Sequence, residues 1–172
     1  MPLLNIIFAE FLQSGAYYGD MTPEGLYSIT DVMLEECSFL SPESFKNELG
    51  EGREIRITFC NDPDYLIANM RTRYIYFMAL QLERAYPTVK VETVNVSMNP
   101  TAVSEFKTTS LSEINPTDVI VSEGGRYRIA NADRFWINGN AYDNDIFFNG
   151  EYRLATAILS VTTYANGPYA YF

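Results

Sequence analysis

The chain has 172 residues, an apolar share of 47% and a formal net charge of −10, which comes from 12 basic and 22 acidic residues. This length suits one ordinary domain, or one domain with part of another, and it allows a real core without metal or disulfide staples. Scattered basic residues argue against nucleic acid as a partner and against direct binding to an anionic membrane surface. The sequence has no histidine, which excludes serine and cysteine triads, histidine-based zinc sites and imidazole acid–base steps.

Residues 1–52 are predicted to form a lead-in segment. The first apolar stretch has helical spacing and predicts a short helix, about half as long as a bilayer span. A short strand is predicted at 26–29. Thr30 has the features of an N-cap for a helix that runs to about Leu40, and a second short helix is predicted after Ser41.

A β-α-β pattern opens the central segment, residues 53–134. Apolar and polar residues alternate over 55–60, a proline-containing turn follows, and apolar residues recur at helical spacing over 67–85. Valines then mark a second strand over 89–96. Because a helical crossover joins these two strands, they are predicted to be parallel.

A second crossover and a hairpin complete the predicted sheet. A short helix is predicted over 100–107 and a third strand over 118–121. Gly124-Gly125 is a two-residue turn of the kind that hairpins prefer, and an alternating strand follows it. The order β-α-β-α-β-β is that of a thioredoxin-like mixed sheet. The predicted fold class is therefore α/β with a thioredoxin-like core, preceded by the lead-in segment and followed by a helix and a strand.

Residues 135–172 are expected to begin a second, truncated domain. The Asn- and Gly-rich part up to residue 150 is predicted to be a long loop, and a helix is predicted over 151–164. The apolar stretch 168–172 has strand character and runs to the last residue, so a parent protein that continues is expected.

The cysteines predict no redox chemistry. A thioredoxin-like redox pair would lie where the first core strand meets the next helix, at Cys60–Asp64, and the second cysteine of that motif is missing. The acidic neighbours Asp62 and Asp64 are expected to raise the pKa of the Cys60 thiol. Cys37 and Cys60 are interpreted as two buried thiols, with one disulfide between them as the alternative.

No cofactor, metal ligand or catalytic residue is assigned from the sequence. The stretch 138–145 offers oxygen ligands for calcium, but its spacing does not fit an EF-hand, so a solvated turn is expected. A glycosidase needs two carboxylates across a cleft, and the linear spacing singles out no such pair. The candidate carboxylates are Glu35, Glu36, Asp62, Asp64, Asp118, Asp143, Asp145 and Glu151.

Aromatic residues are the best candidates for binding a partner. The helical cluster from Tyr74 to Phe77 is expected to pack in the core, whereas aromatic pairs in predicted loops beside glycines are expected to contact a partner. The candidate partner-contact residues are Tyr17, Tyr18, Tyr142, Phe147 and Phe148.

Short motifs in a fixed order run through nearly the whole chain. They are Asp20–Thr22, Leu26–Thr30, Ile55–Phe59, Val91–Asn95 with Pro100, Asp118–Val121, Arg126–Arg128, and Phe148–Glu151 before a helix with Ala157-Ile158. In this order and spacing they resemble the GldG-type, gliding-motility-associated auxiliary proteins of ABC transporters. The resemblance implies an extracytoplasmic part of a membrane-anchored bacterial protein that works beside an ABC permease and ATPase. It carries over no catalytic residue, and membrane contact is expected only through segments outside this chain.

The predicted function is a non-catalytic interaction or scaffold domain of an ABC transport system, on the extracytoplasmic face of a bacterial cell membrane. The alternative is a small-molecule or glycan-binding module of a cell-surface protein, which would use the loop 138–145 and nearby aromatic residues. An enzyme, either a carboxylate-based hydrolase or a single-thiol redox protein, ranks third.

Overall fold

The structure, a computed structural model, describes residues 29–41, 43, 53–107, 109, 112–138 and 146–162. Four predicted elements fall on other residues and lie outside this description: the first helix, the strand before Ile29, the helix after Ser41 and the strand over 168–172.

The first described element is helix α1, Asp31–Glu36, which begins at the predicted N-cap. The backbone N–H of Met33 donates to the Thr30 side-chain oxygen at 3.3 Å, and this bond satisfies one of the unpaired donors at the start of the helix. The helix was predicted to reach about Leu40. It ends at Glu36 because the chain tightens into a 3-10 turn, Ser38–Leu40.

Four strands form one mixed sheet in the order β2-β1-β3-β4. The strands are β1 Ile55–Phe59, β2 Val89–Thr93, β3 Asp118–Glu123 and β4 Arg126–Asn131. Strand β1 is parallel to β2, with Ile57 opposite Val91, and antiparallel to β3, with Ile57 opposite Val121. Strand β4 pairs antiparallel with β3. This parallel unit followed by an antiparallel hairpin confirms the predicted α/β class with a mixed sheet.

The crossover between β1 and β2 contains two helices where one was predicted. They are α2, Pro63–Ala68, and α3, Met70–Ala85. Asn69 separates them in an extended conformation, and its side-chain oxygen accepts from the Arg71 backbone N–H at 2.9 Å. An asparagine inside a helical pattern therefore ends one helix and caps the next.

The second crossover is less regular than predicted. The helix expected over 100–107 is wrong in length, because only Ser104–Phe106 forms a 3-10 turn. The following hairpin is confirmed: Gly124 and Gly125 have φ values of 54° and 85°, the left-handed region that a tight two-residue turn requires.

The long loop predicted over 135–150 is wrong in part. A 3-10 turn, Ala132–Phe135, leads into β5, Trp136–Asn138, which pairs antiparallel with β6, Ile146–Phe148. Helix α4, Gly150–Thr162, follows as predicted. Between the two strands, residues 139–145 are outside the description.

The sheet has a large core on one face and a small one on the other. Side chains of β1 alternate between the faces, so Ile57 and Phe59 pack with α1, α3 and α4, whereas Cys60 faces the opposite side. The α4 residues Leu154 and Ile158 belong to the large core. The domain boundary expected at residue 135 stays a prediction, but α4 shares its core with the sheet.

Candidate functional site

The strand–helix junction at Cys60 is the place where a thioredoxin-like redox centre would lie. The Cys60 thiol is completely buried, and its pKa is raised to about 12, first by burial and second by the negative charge of Asp118. The expected cause, Asp62 and Asp64, was therefore wrong, although the direction was right. A thiol with this pKa is almost entirely protonated at neutral pH and is a poor nucleophile.

The disulfide alternative is also wrong. The structure holds Cys37 and Cys60 as buried thiols. They belong to separate core clusters, Cys37 on the helix-covered face of the sheet and Cys60 on the opposite face. A disulfide would require their Cβ atoms to approach within about 4 Å, which the intervening sheet prevents.

The acidic residues around this junction form structural hydrogen bonds. Asp118 is buried and accepts from the Asn115 backbone N–H at 2.7 Å and from Asn131 Nδ2 at 2.8 Å. Asp62 accepts from Asn95 Nδ2, which ties the loop after β1 to the loop after β2. In the described part of the chain, no group of three or more Cys, Asp or Glu side chains could hold a metal ion.

Of the other candidate carboxylates, Glu35 and Asp64 are exposed, and Glu151 binds Thr30 as described below. Asp143 and Asp145 lie outside the described residues, as does the side chain of Glu36.

One buried carboxylate was missed by the sequence analysis. The Glu123 side chain has no exposed surface; its Oε2 accepts from Arg126 Nη2 at 2.9 Å, and its Oε1 faces Arg53 Nε as an ion pair. Among the described residues, Oε1 receives no aligned hydrogen bond. Arg126 Nη2 also donates to the Thr162 carbonyl at 3.3 Å, at the end of α4. Glu123 and Arg126 flank the glycine turn at i and i+3, and this spacing was the available signal.

A polar groove of about 410 Å³ lies on the sheet face opposite the helices. In this groove, Arg56 donates to Glu54 Oε1 from Nε at 2.8 Å and from Nη2 at 2.6 Å. Its Nε also lies 3.9 Å from Glu92 Oε1. The hydrogen bond to Glu54 and the charges of Glu54 and Glu92 raise the Arg56 pKa. Tyr127 lines the same groove and packs edge-on against Phe106, with ring centroids 5.4 Å apart.

An apolar groove of about 560 Å³ lies between α1 and α4, and we name it the α1–α4 groove. Its floor contains the buried residues Met33 and Ala155, and its rim contains the exposed residues Val32 and Tyr152, which are 67% and 64% exposed. Exposed apolar side chains around a concave surface are a common feature of protein-binding sites.

Glu151 holds the two walls of the α1–α4 groove together. Its Oε1 accepts from the Thr30 backbone N–H at 2.9 Å, and its Oε2 accepts from the Thr30 hydroxyl at 2.5 Å. Glu151 lies in the first turn of α4, and Thr30 caps α1, so this carboxylate stands at the N-terminal ends of two helices. Negative charge is favoured at both ends by the helix dipoles.

The β5–β6 hairpin positions two of the predicted partner-contact residues. Phe148 turns inward, with ring centroids 5.0 Å from Trp136 and 5.3 Å from Tyr74, and Trp136 Nε1 donates to the Arg71 carbonyl at 3.1 Å. Phe148 thus lines the α1–α4 groove from the core side. Phe147 points the other way and is 58% exposed. The remaining candidates, Tyr17, Tyr18 and Tyr142, lie outside the described residues.

Comparison with family models, with curated proteins and with solved structures gave no match. Within the described residues, no helix has the length and apolar character that crossing a bilayer requires.

Proposed function

We propose that this chain is a non-catalytic interaction domain of a GldG-type auxiliary protein, placed on the extracytoplasmic face of a bacterial ABC transport system. The cellular context comes from the sequence resemblance alone. The geometry supports the interaction role, because the described residues offer an apolar groove with exposed apolar side chains on its rim. The observation that carries the proposal is the α1–α4 groove, with Val32 and Tyr152 exposed above the buried floor.

Two properties suit the groove to a protein partner. The first is rigidity: Glu151 bonds α4 to the cap of α1, and the Tyr74 ring of α3 packs against Trp136 and Phe148 of the adjoining hairpin. A rigid surface loses little conformational entropy when a partner binds. The second is continuity, because Leu159, which is 37% exposed, continues the exposed apolar surface of Tyr152 along the groove wall.

The test is a pull-down from detergent-solubilised native membranes with this chain as bait. The expected result is recovery of an ABC permease or ATPase, identified by mass spectrometry. Val32→Gln and Tyr152→Gln should abolish that recovery, because each removes apolar surface from the groove rim. Met98→Gln is the matched control, since Met98 is 82% exposed and does not line the groove. Equal recovery with the rim variants and the control would contradict the proposed docking site, and recovery of no transporter subunit would contradict the proposed context.

A second candidate is small-molecule binding, and the polar groove around Arg56 favours it. In the loop 138–145, which the sequence analysis assigned to ligand binding, Asn138 ends β5 and residues 139–145 lie outside the description. The groove instead presents the charged groups of Arg56 and Glu92 beside the Tyr127 ring, an arrangement that can orient a polar ligand. Thermal-shift screening of soluble sugars and amino acids would test it; a shift that Arg56→Gln removes would support this candidate, and no shift with any compound would contradict it.

A further inference from the structure

The α1–α4 groove has features that define the kind of partner segment it fits. We infer that its occupant is an amphipathic helix of the partner protein, with an apolar stripe flanked by Lys or Arg. This inference rests on the proposed function and specifies the partner at the same site. The arguments concern the backbone of the groove, the spacing of its apolar residues and the charges around it.

The backbone of the groove favours a helix over an extended peptide. An extended segment binds by adding main-chain hydrogen bonds to an exposed strand edge. The longer wall of this groove is the 13-residue helix α4, in which most backbone donors and acceptors bond within the helix. An apolar helix face needs no main-chain partner, so it fits a groove with helical walls.

The spacing along α4 matches the same mode of binding. Tyr152, Ala155 and Leu159 line the groove at i, i+3 and i+7, so they form one ridge along the helix. Ala155 is the small residue in the middle of this ridge, and the depression above it can accept a large side chain of a second helix. Helices pack by placing such side chains between ridges, with axes about 8–10 Å apart.

The charges around the groove favour a basic partner. Among the described residues that line it, Glu151 is the only one with a charged side chain. Helix α1 has the sequence Asp-Val-Met-Leu-Glu-Glu, with no basic residue, and Asp31 and Glu35 are exposed beside Val32. The whole chain carries a net charge of −10. Lys or Arg beside the apolar stripe of the partner would be attracted to this rim and would steer its approach.

The same charges argue against two other occupants. A second copy of the chain would bring a further net charge of −10 to an acidic rim. The apolar stretch 3–12 of the chain itself contains Glu10 and no Lys or Arg, so it lacks the complementary charge. Both remain outcomes that the experiment below can detect.

The first experiment measures the binding of synthetic stapled helical peptides to the full chain by fluorescence polarisation. One peptide has Leu at i, i+3, i+4 and i+7 with flanking Lys; matched peptides have Ser or Glu in place of Lys. We expect the Lys peptide to bind and the Glu peptide not to bind. Val32→Gln and Tyr152→Gln should each weaken the Lys peptide about tenfold, whereas Met98→Gln should have no effect.

Two double variants distinguish the effect of the acidic residues on α1 from the effect of the overall net charge on peptide binding. Asp31→Asn with Glu35→Gln should weaken the Lys peptide about fivefold and leave the Ser peptide unchanged. Asp64→Asn with Glu113→Gln changes the net charge by the same amount at exposed positions that lie on neither α1 nor α4, and it should leave binding within about twofold. Equal weakening by both double variants would overturn the inference, since net charge alone would then explain the binding.

The second experiment identifies the contacting segment in the membrane pull-down, with a photoreactive amino acid in place of Tyr152. Cross-linking to a basic amphipathic helix of a transporter subunit would support the inference. Cross-linking to a strand or an acidic segment would overturn it while leaving the proposed function intact. Cross-linking to a second copy, or to residues 3–12 of the same chain, would also overturn it. Failure to recover any transporter subunit would instead count against the proposed function, and the peptide assay would still decide the chemistry of the groove.

Discussion

The two faces of the four-stranded sheet are covered in different ways. On one face, α1, α3 and α4 enclose a large apolar core whose residues run in sequence from Met33 to Val161. On the other, the irregular crossover between β2 and β3 covers a small cluster of buried residues: Cys60, Val96, Val103 and Ile120. Buried apolar surface is the main source of folding free energy, so most of the stability is expected on the helix-covered face. The loop-covered face leaves room for the polar groove around Arg56.

The largest expected effect tests this comparison with one substitution on each face. Ile57 and Ile120 are both fully buried, on β1 and β3 respectively, but they belong to different clusters. Ile57→Ala should lower the free energy of unfolding by about 4 kcal/mol, because three helices prevent the cavity from closing. Ile120→Ala should cost about 2–3 kcal/mol, since the irregular crossover can move into the space. Urea denaturation measures both values. Equal costs would show that the loop-covered face is packed as rigidly as the other.

The next largest effect concerns the buried carboxylate of Glu123, which pairs with Arg53 and Arg126 at the edge of the helix-covered face. Glu123→Gln leaves Arg53 and Arg126 without the buried carboxylate that they contact, and should cost about 2–3 kcal/mol in urea denaturation. Arg56→Gln is the matched control on the loop-covered face, because its contacts with Glu54 and Glu92 are exposed and should contribute less than about 1 kcal/mol. If the two variants cost the same, the burial of Glu123 has no energetic consequence.

A smaller effect tests how firmly the β5–β6 hairpin is fixed to the helix-covered face. A Cβ atom at Gly150 would stand 2.0 Å from the Phe148 ring, which packs against Trp136 and Tyr74. Gly150→Ala should therefore cost about 1–2 kcal/mol and displace the ring. Gly125→Ala serves as a comparison, because its Cβ would meet no atom within 4 Å and its cost would come only from the positive φ. Unchanged near-UV circular dichroism in Gly150→Ala would mean that the ring is mobile.

The strands in which apolar and polar residues alternate over five or more positions were predictable from the sequence, and the three-residue strands were not. Strand β1 and the Gly124-Gly125 hairpin follow from local pattern and turn chemistry, which act within a few residues. Strands β5 and β6 have three residues each, too few for a period of two to be recognised, and Trp136 is held by a hydrogen bond to the distant Arg71 carbonyl. The helix expected over 100–107 is a different case, because only Ser104–Phe106 forms a 3-10 turn and tertiary context overrides weak local propensity.

The candidate site depended even more on contacts between distant residues. Thr30 and Glu151 were each visible in the sequence as a cap and a first-turn acid, but they are 121 residues apart and nothing local pairs them. The α1–α4 groove lies between the two helices that this pairing joins. Alternation alone could have placed Phe147 and Phe148 on opposite faces if β6 had been recognised as a strand. The sequence analysis instead treated them as one aromatic pair in a loop.

The last prediction compares the two faces through the Cys60 thiol, which lies on the loop-covered face, and its effect is a slope of at most about 1.4 kcal/mol per pH unit. Burial and Asp118 raise its pKa from 9.0 to about 12, so the folded state keeps its proton while the unfolded chain loses it. Stability from this difference is complete below about pH 9 and is lost as the pH rises towards 12. Cys60→Ala should therefore show a shallower fall in the free energy of unfolding above pH 9 than the wild type. The raised pKa values of Tyr76 and Tyr86 act in the same direction in both proteins, so the difference between the two slopes isolates the thiol. Identical slopes would mean that water reaches Cys60 through the crossover, and that the loop-covered face opens more readily than its buried cluster suggests.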